Sequence, residues 1–205
     1  MSSTKKLYYV YDPMCSWCWG YKPVWNKIED ALKGEVDVIY VLGGLAPDSD
    51  VPMAEDMQQQ IASYWKKIET FLGTTFNYEF WAKNIPRRST YPSCRAVLAA
   101  REQNAEKAML EAIQHSYYLN AQNPSDNDVL IHVAENIGLD VDRFKDDFFT
   151  PETHQNLLKE IGFARSISVN GFPSLVMESS GSMVELPIDY QHTEATLKKI
   201  RNIDE

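Results

Sequence analysis

Apolar and polar positions along the 205-residue chain follow two periods, and the change from one to the other divides it into three stretches. Residues 7–11, LYYVY, are aromatic and aliphatic throughout and end at Asp12-Pro13, which predicts a strand closed by a turn. Val24, Trp25, Ile28 and Leu32 then recur at helical spacing, with Gly34 near the end of the run. Pro23 lies inside that helix, about one turn beyond residues 15–18, and is expected to kink it. The run VDVIYVLGGL, 36–45, has the length and unbroken apolarity of a buried strand. Strand, helix and strand in this order form a βαβ unit, whose crossover is expected to be right-handed.

Beyond Pro47 the spacing becomes helical. Met57, Ile61, Tyr64, Trp65, Ile68, Phe71 and Leu72 recur at threes and fours and predict one amphipathic helix. Another follows Pro92 with Ser93 as cap, a third covers 105–119, and a fourth runs from a Ser125 cap to Gly138. Thr150 and Pro151 read as the cap and first residue of a fifth. Strand patterns return at 173–178 and 182–188 on either side of SSG, a hairpin signal, and a last helix is expected over 193–203 with Thr193 as cap. The outer pieces give the βαβ…ββα order of a thioredoxin fold. The expected architecture is therefore α/β, a thioredoxin-like domain made of 1–46 and 163–205, interrupted by a helical insertion at 47–162.

The candidate chemistry sits where the first strand meets the first helix. There, MCSWCW places Cys15 and Cys18 three residues apart, and the chain has one other cysteine, Cys94. On a helix, residues at i and i+3 share a face at about 5–6 Å between Cβ atoms, a separation a disulfide can bridge. The first-turn amide hydrogens lack helical partners and the helix dipole is positive there. A Cys15 thiolate at that end is favoured by up to about 2 kcal/mol, roughly one pK unit or more. Cys18, farther in, stays closer to a thiol. Cys15 is thus the attacking sulfur and Cys18 the one that resolves a mixed disulfide. Structural zinc needs four ligands, and His115, His132, His154 and His192 form no close pair, so no metal is expected.

Net charge, −9, argues against nucleic acid as a partner. No apolar run reaches the roughly 18–20 residues of a membrane span, and no secretory h-region stands at the start as written, so a cytoplasmic location is expected. Three cysteines do not make a disulfide framework, and a close pair in a reducing compartment reads as catalytic. Trp17, Trp19, Tyr21 and Trp25 offer an aromatic platform, with Trp25 assigned to the core. Asp12 reads as a turn residue, Cys94 as structural, and Arg87-Arg88 as a solvated loop that could meet an anionic substrate. Pro173 opens an apolar strand, where a trans proline is permitted and a cis one is the functional alternative.

YDPMCSWCWGYKPVW, Gly43-Gly44, the helical insertion and VNGFPSLV together resemble the DsbA-type thioredoxin superfamily, in its FrnE-like branch without a leader. The resemblance spans nearly the whole chain, and its specificity lies in the CSWC and GFPS segments. It implies a disulfide oxidoreductase or isomerase, with Cys15 as nucleophile, Cys18 resolving, Pro173 as the cis-proline, and Phe172 beside the thiol in substrate contact along with Trp17. Partners would be protein or small-molecule thiols and disulfides, with glutathione as a co-substrate rather than a resident cofactor. Kappa-class transferases and 2-hydroxychromene-2-carboxylate isomerases are similar in architecture and supply the alternative, a glutathione-dependent small-molecule isomerase or transferase. Those relatives carry a serine where Cys15 stands.

Overall fold

The computed structural model describes residues 5–167 and 171–203. In chain order the elements are β1 (Lys6–Tyr11), α1 (Ser16–Ala31), β2 (Asp37–Leu42), α2 (Glu55–Leu72), α3 (Phe80–Lys83), α4 (Tyr91–Arg101), α5 (Glu106–Tyr118), α6 (Asn127–Asn136), α7 (Val141–Phe149), α8 (Pro151–Ile167), β3 (Ser174–Ser179), β4 (Ser182–Leu186) and α9 (Thr193–Arg201). The sheet order is β2-β1-β3-β4, with β1 parallel to β2 and the remaining pairs antiparallel. This is the thioredoxin-like arrangement, with α2 through α8 inserted between β2 and β3.

β1 has no polar face because both of its sides are covered. Leu7, Tyr9 and Tyr11 pack into the cluster that holds Val24, Trp25 and Ile28 of α1 and Leu197 and Ile200 of α9. Tyr8 and Val10 pack with Val41, Val176 and Ala164 of α8 on the other side. The strand period of two thus assigns alternate residues to two helical layers. The first cluster continues through Val97, Ile113, Leu130 and Phe144 of the inserted helices. A second cluster, built on Trp65, Ile68, Phe76, Phe80, Tyr117 and Tyr118, receives Met14 from the turn before α1 and Trp17 and Trp19 from its start. Of the two expected domain borders, 46/47 falls in the loop after β2, and 162/163 falls inside α8, which runs unbroken to Ile167.

Several local expectations need correction. The caps of α4, α6 and α9 are Thr90, Asp126 and His192 rather than Ser93, Ser125 and Thr193. Ser93 instead donates to the Thr90 carbonyl and Ser125 to that of Ser89, both at 2.7 Å. The helix α7 was not expected. Of its four apolar residues only Phe144 and Phe148, one turn apart, are buried, and Asp140 caps it by accepting from Arg143 N at 3.1 Å. The stripe read on α2 splits in two: Trp65 and Ile68 are buried, whereas Met57, Tyr64 and Phe71 are exposed. Pro23 remains within α1, leaving the Trp19 carbonyl without its usual helical donor.

Candidate active site

The site forms at the C-terminal end of β1. Asp12 closes the strand into a tight turn, its carboxylate accepting from Met14 N at 2.8 Å and its carbonyl from Cys15 N at 3.1 Å. That turn delivers Cys15 as the N-cap residue of α1, in extended geometry (φ −79°, ψ 116°), with its carbonyl accepting from Trp19 N at 3.1 Å. Cys18 follows as the third helical residue. Antiparallel pairing of Val10 with Ser174 places Pro173 alongside the end of β1. The Phe172–Pro173 bond is cis, and the Phe172 carbonyl accepts from the Cys15 thiol at 3.6 Å. Of the VNGFPSLV segment, Val169 and Asn170 lie outside the described residues. Ser174 closes the described part of this loop by donating to the Gly171 carbonyl at 2.7 Å.

Cys15, Cys18 and Cys94 are all free thiols. Cys15 is 8% exposed, whereas Cys18 and Cys94 are fully enclosed, so of the three only Cys15 meets solvent. The Cys18 thiol hydrogen-bonds to the Cys15 sulfur and holds its pKa below the ordinary thiol value; burial opposes this, and the N–H groups of Cys18 and Trp17 reinforce it. Those amides act on the sulfur electrostatically, since its side chain makes no regular capping bond. Burial and then the hydrogen bond to Cys15 push Cys18 well above the ordinary value. Two thiols one helical turn apart are thereby driven in opposite directions, one towards thiolate and one towards thiol.

Asp12 does more than close a turn. It is fully buried, and besides Met14 N its carboxylate accepts from Leu45 N (2.7 Å), the Thr90 hydroxyl (2.7 Å) and the Cys94 thiol (3.5 Å). One side chain thus joins the reactive turn to the loop after β2 and to the start of α4. Burial raises its pKa, and these four donors pull against that rise. Cys94 belongs to this buried network, its own thiol pushed well up by burial and the Asp12 charge.

Gly43 explains one half of the glycine pair. A Cβ there would stand 1.9 Å from the Phe172 ring, so the ring lies directly on the Gly43 backbone. Gly44 has φ +62°, and a Cβ would meet the Ile161 side chain at 2.3 Å.

Cys15, Trp17 and Phe172 line one cavity of about 260 Å³. Its other walls include Met53, Ile61, Tyr64, Arg88 and Tyr117, all from the inserted helices and their loops. Trp17 is half-buried, its ring 5.2 Å from that of Tyr190 and 5.9 Å from the Lys67 ammonium. Trp19 stacks on Tyr118 and donates to the Thr75 carbonyl at 3.1 Å, while Tyr21 and Trp25 belong to the core. Of the expected aromatic platform only Trp17 faces the cavity. The far wall escaped sequence reasoning because nothing in its local spacing distinguishes Ile61, Tyr64 or Tyr117 from core residues. Among the described residues, no three His, Cys, Asp or Glu side chains form a group able to hold a metal ion.

A family model described as thioredoxin matches residues 8–193. A solved structure from Nitrosomonas europaea, assigned as a protein disulfide isomerase, is 27% identical and superposes with a TM-score of 0.84 over 98% of this chain and 97% of that one. The cytosolic disulfide reductase DsbM from Pseudomonas aeruginosa, 21% identical, shares the fold at a TM-score of 0.74 over 96% and 94% of the two chains, and has also been solved with glutathione. Among curated proteins, the ClpXP adapter protein SpxH of Bacillus subtilis (strain 168) is 28% identical over 174 residues, which make up 83% of this chain. The chain spans 57% of that relative's length. No helix among the described residues is long and apolar enough to cross a membrane.

Proposed function

The chain belongs to the thioredoxin family, and from that premise we propose that it is a DsbA-type thiol–disulfide oxidoreductase in which Cys15 attacks and Cys18 resolves. The observation that carries this reading is the placement of the two sulfurs, Cys15 at the head of α1 on the cavity wall and Cys18 enclosed behind it, an arrangement that biases the first towards thiolate and the second towards thiol. In the reductive direction, the Cys15 thiolate attacks a disulfide, forms a mixed disulfide and expels one thiolate. Cys18 then loses its proton and attacks the Cys15 sulfur. The internal Cys15–Cys18 bond forms, the second thiol leaves, and the protein is oxidised by two electrons. Two equivalents of a monothiol, glutathione being the natural co-substrate on this reading, restore the dithiol. The same steps in reverse oxidise a substrate, and arrest at the mixed disulfide permits isomerisation.

Phe172 and Pro173 shape the wall next to the reacting sulfur, and Trp17 supplies an apolar contact for the incoming chain. Protein or small-molecule disulfides are the substrates in this reading. The likeness to a cytosolic reductase supports the cytoplasmic location proposed from the sequence.

The test is turnover of insulin disulfides together with refolding of a scrambled disulfide protein. Wild-type protein is expected to catalyse at least the first, Cys15→Ser to abolish it, and Cys18→Ser to accumulate a mixed disulfide on Cys15. Activity that survives Cys18→Ser and requires glutathione would favour the small-molecule isomerase instead. A protein that binds partners but shows no Cys15-dependent turnover would act as an adapter, the role in the name of the curated relatives.

A further inference from the structure

The wall of the Cys15 cavity carries charge of the opposite sign to the molecule. The chain has 29 acidic and 20 basic residues, yet the cavity is lined by Arg87 and Arg88 and by no carboxylate. The two arginines are not equivalent. Arg87 is engaged, donating to the Ser125 carbonyl at 2.8 Å and to Asp126 at 2.6 Å. Arg88 is exposed and makes no hydrogen bond or ion pair to any described residue. Beside it in the same wall stands Tyr117, 6% exposed, whose hydroxyl also has no partner among the described residues. The Arg88 charge acts on that hydroxyl, opposing the rise that burial and, less strongly, the Asp12 charge impose on its pKa.

A free guanidinium and an unpartnered phenol beside a reactive sulfur make an anion receptor next to a nucleophile. Guanidinium matches a carboxylate in a forked, charge-assisted geometry that a neutral substrate cannot use. It also offsets the repulsion an anionic disulfide meets at a Cys15 thiolate on a protein of negative net charge. Resting on the oxidoreductase reading, we propose that the preferred substrate is a low-molecular-weight disulfide bearing a carboxylate that Arg88 and the Tyr117 hydroxyl hold while its sulfur meets Cys15. The reaction is the one already balanced: one disulfide oxidises the Cys15–Cys18 dithiol to its internal disulfide and leaves as two thiols, one expelled in each step.

The test is a single-turnover oxidation of the reduced protein, followed by tryptophan fluorescence. It uses glutathione disulfide (anionic), bis(2-hydroxyethyl) disulfide (neutral) and cystamine (cationic). Each rate constant is divided by that of dithiothreitol with the same disulfide, which removes intrinsic reactivity. The wild type is expected to prefer the anionic substrate over the cationic one by about tenfold or more. Arg88→Gln should erase most of that ratio, Arg88→Lys should retain part of it, and added salt should shrink it. A ratio unmoved by Arg88→Gln, or all three rates falling together, overturns the proposal while leaving the oxidoreductase reading intact. A second measurement separates the two: calorimetric titration of Cys15→Ser protein with S-methylglutathione. If no disulfide oxidises the wild type, the oxidoreductase reading fails. The carboxylate site then stands if Arg88→Gln weakens this binding about tenfold, and falls if binding is absent or unchanged.

Discussion

At the residue scale, Cys15 and Cys18 hold their protons differently because of the burial of Cys18, the hydrogen bond between the two sulfurs and the helix end at Cys15. The bond from the Cys18 thiol is the largest influence lowering Cys15, so Cys18→Ala should move the Cys15 titration upward, as read by thiolate ultraviolet absorbance. Failure to move would assign the shift to the α1 amides alone. The sign for stability of the reduced protein follows from the same directions. Cys15, lowered, stabilises the fold above the unfolded thiol range, and that contribution fades as pH falls through its folded value. Cys18 and Cys94, raised, contribute below the unfolded range and lose that contribution as pH climbs through theirs. Gly43→Ala puts a methyl into the Phe172 ring. Overpacking of this kind costs about 1–3 kcal/mol. Chemical denaturation should register that loss, and turnover should fall more than tenfold as Phe172 and its carbonyl are displaced from Cys15. Unimpaired turnover in Gly43→Ala would mean that the placement of Phe172 is irrelevant to the chemistry.

At the element scale, the sequence was legible where periodicity was long and the chemistry local. β1, β2, β3 and β4 emerge close to their expected places: the apolar runs of β1 and β3 match central strands that are largely buried, while the edge strand β4, mostly exposed, is marked by the hairpin signal at SSG rather than by an unbroken apolar run. The CSWC segment placed both sulfurs at the head of α1 for the same reason: strand, turn and helix follow one another within a dozen residues. Caps were less legible. Thr90 and Ser93, or Ser125 and Asp126, are near-equivalent as local signals, and tertiary hydrogen bonds decide between them. The cavity's far wall was illegible because it depends on how α2 and α5 pack, which no local pattern encodes. Between elements, Arg101 at the end of α4 binds both Glu106 of α5 (2.6 Å) and Glu160 of α8 (2.9 Å), and Glu160 accepts from Leu42 N of β2 at 2.8 Å. Arg101→Met leaves two carboxylates facing each other. The loss should be about 1–3 kcal/mol in denaturant unfolding, less than for a fully buried pair because the guanidinium side chain is one-third exposed. No measurable loss would show that β2 and the inserted helices are held by packing alone.

At the scale of the whole molecule, the inserted helices are more than an appendage. They share an apolar cluster with the sheet and α1, and they furnish most of the cavity opposite Cys15. Heat unfolding should therefore be a single transition with equal calorimetric and van't Hoff enthalpies; two resolved transitions would instead make the helical segment an independent unit.

The proposed chemistry requires one sulfur to be more reactive than its neighbours. Isotope-coded alkylation of the native reduced protein, quantified by mass spectrometry from mildly acidic to alkaline pH, measures this directly. Cys15 should label first, with a midpoint below that of an ordinary thiol, while Cys18 and Cys94 stay protected across neutral pH. Labelling of Cys18 or Cys94 ahead of Cys15, or of all three with one common midpoint, would contradict it.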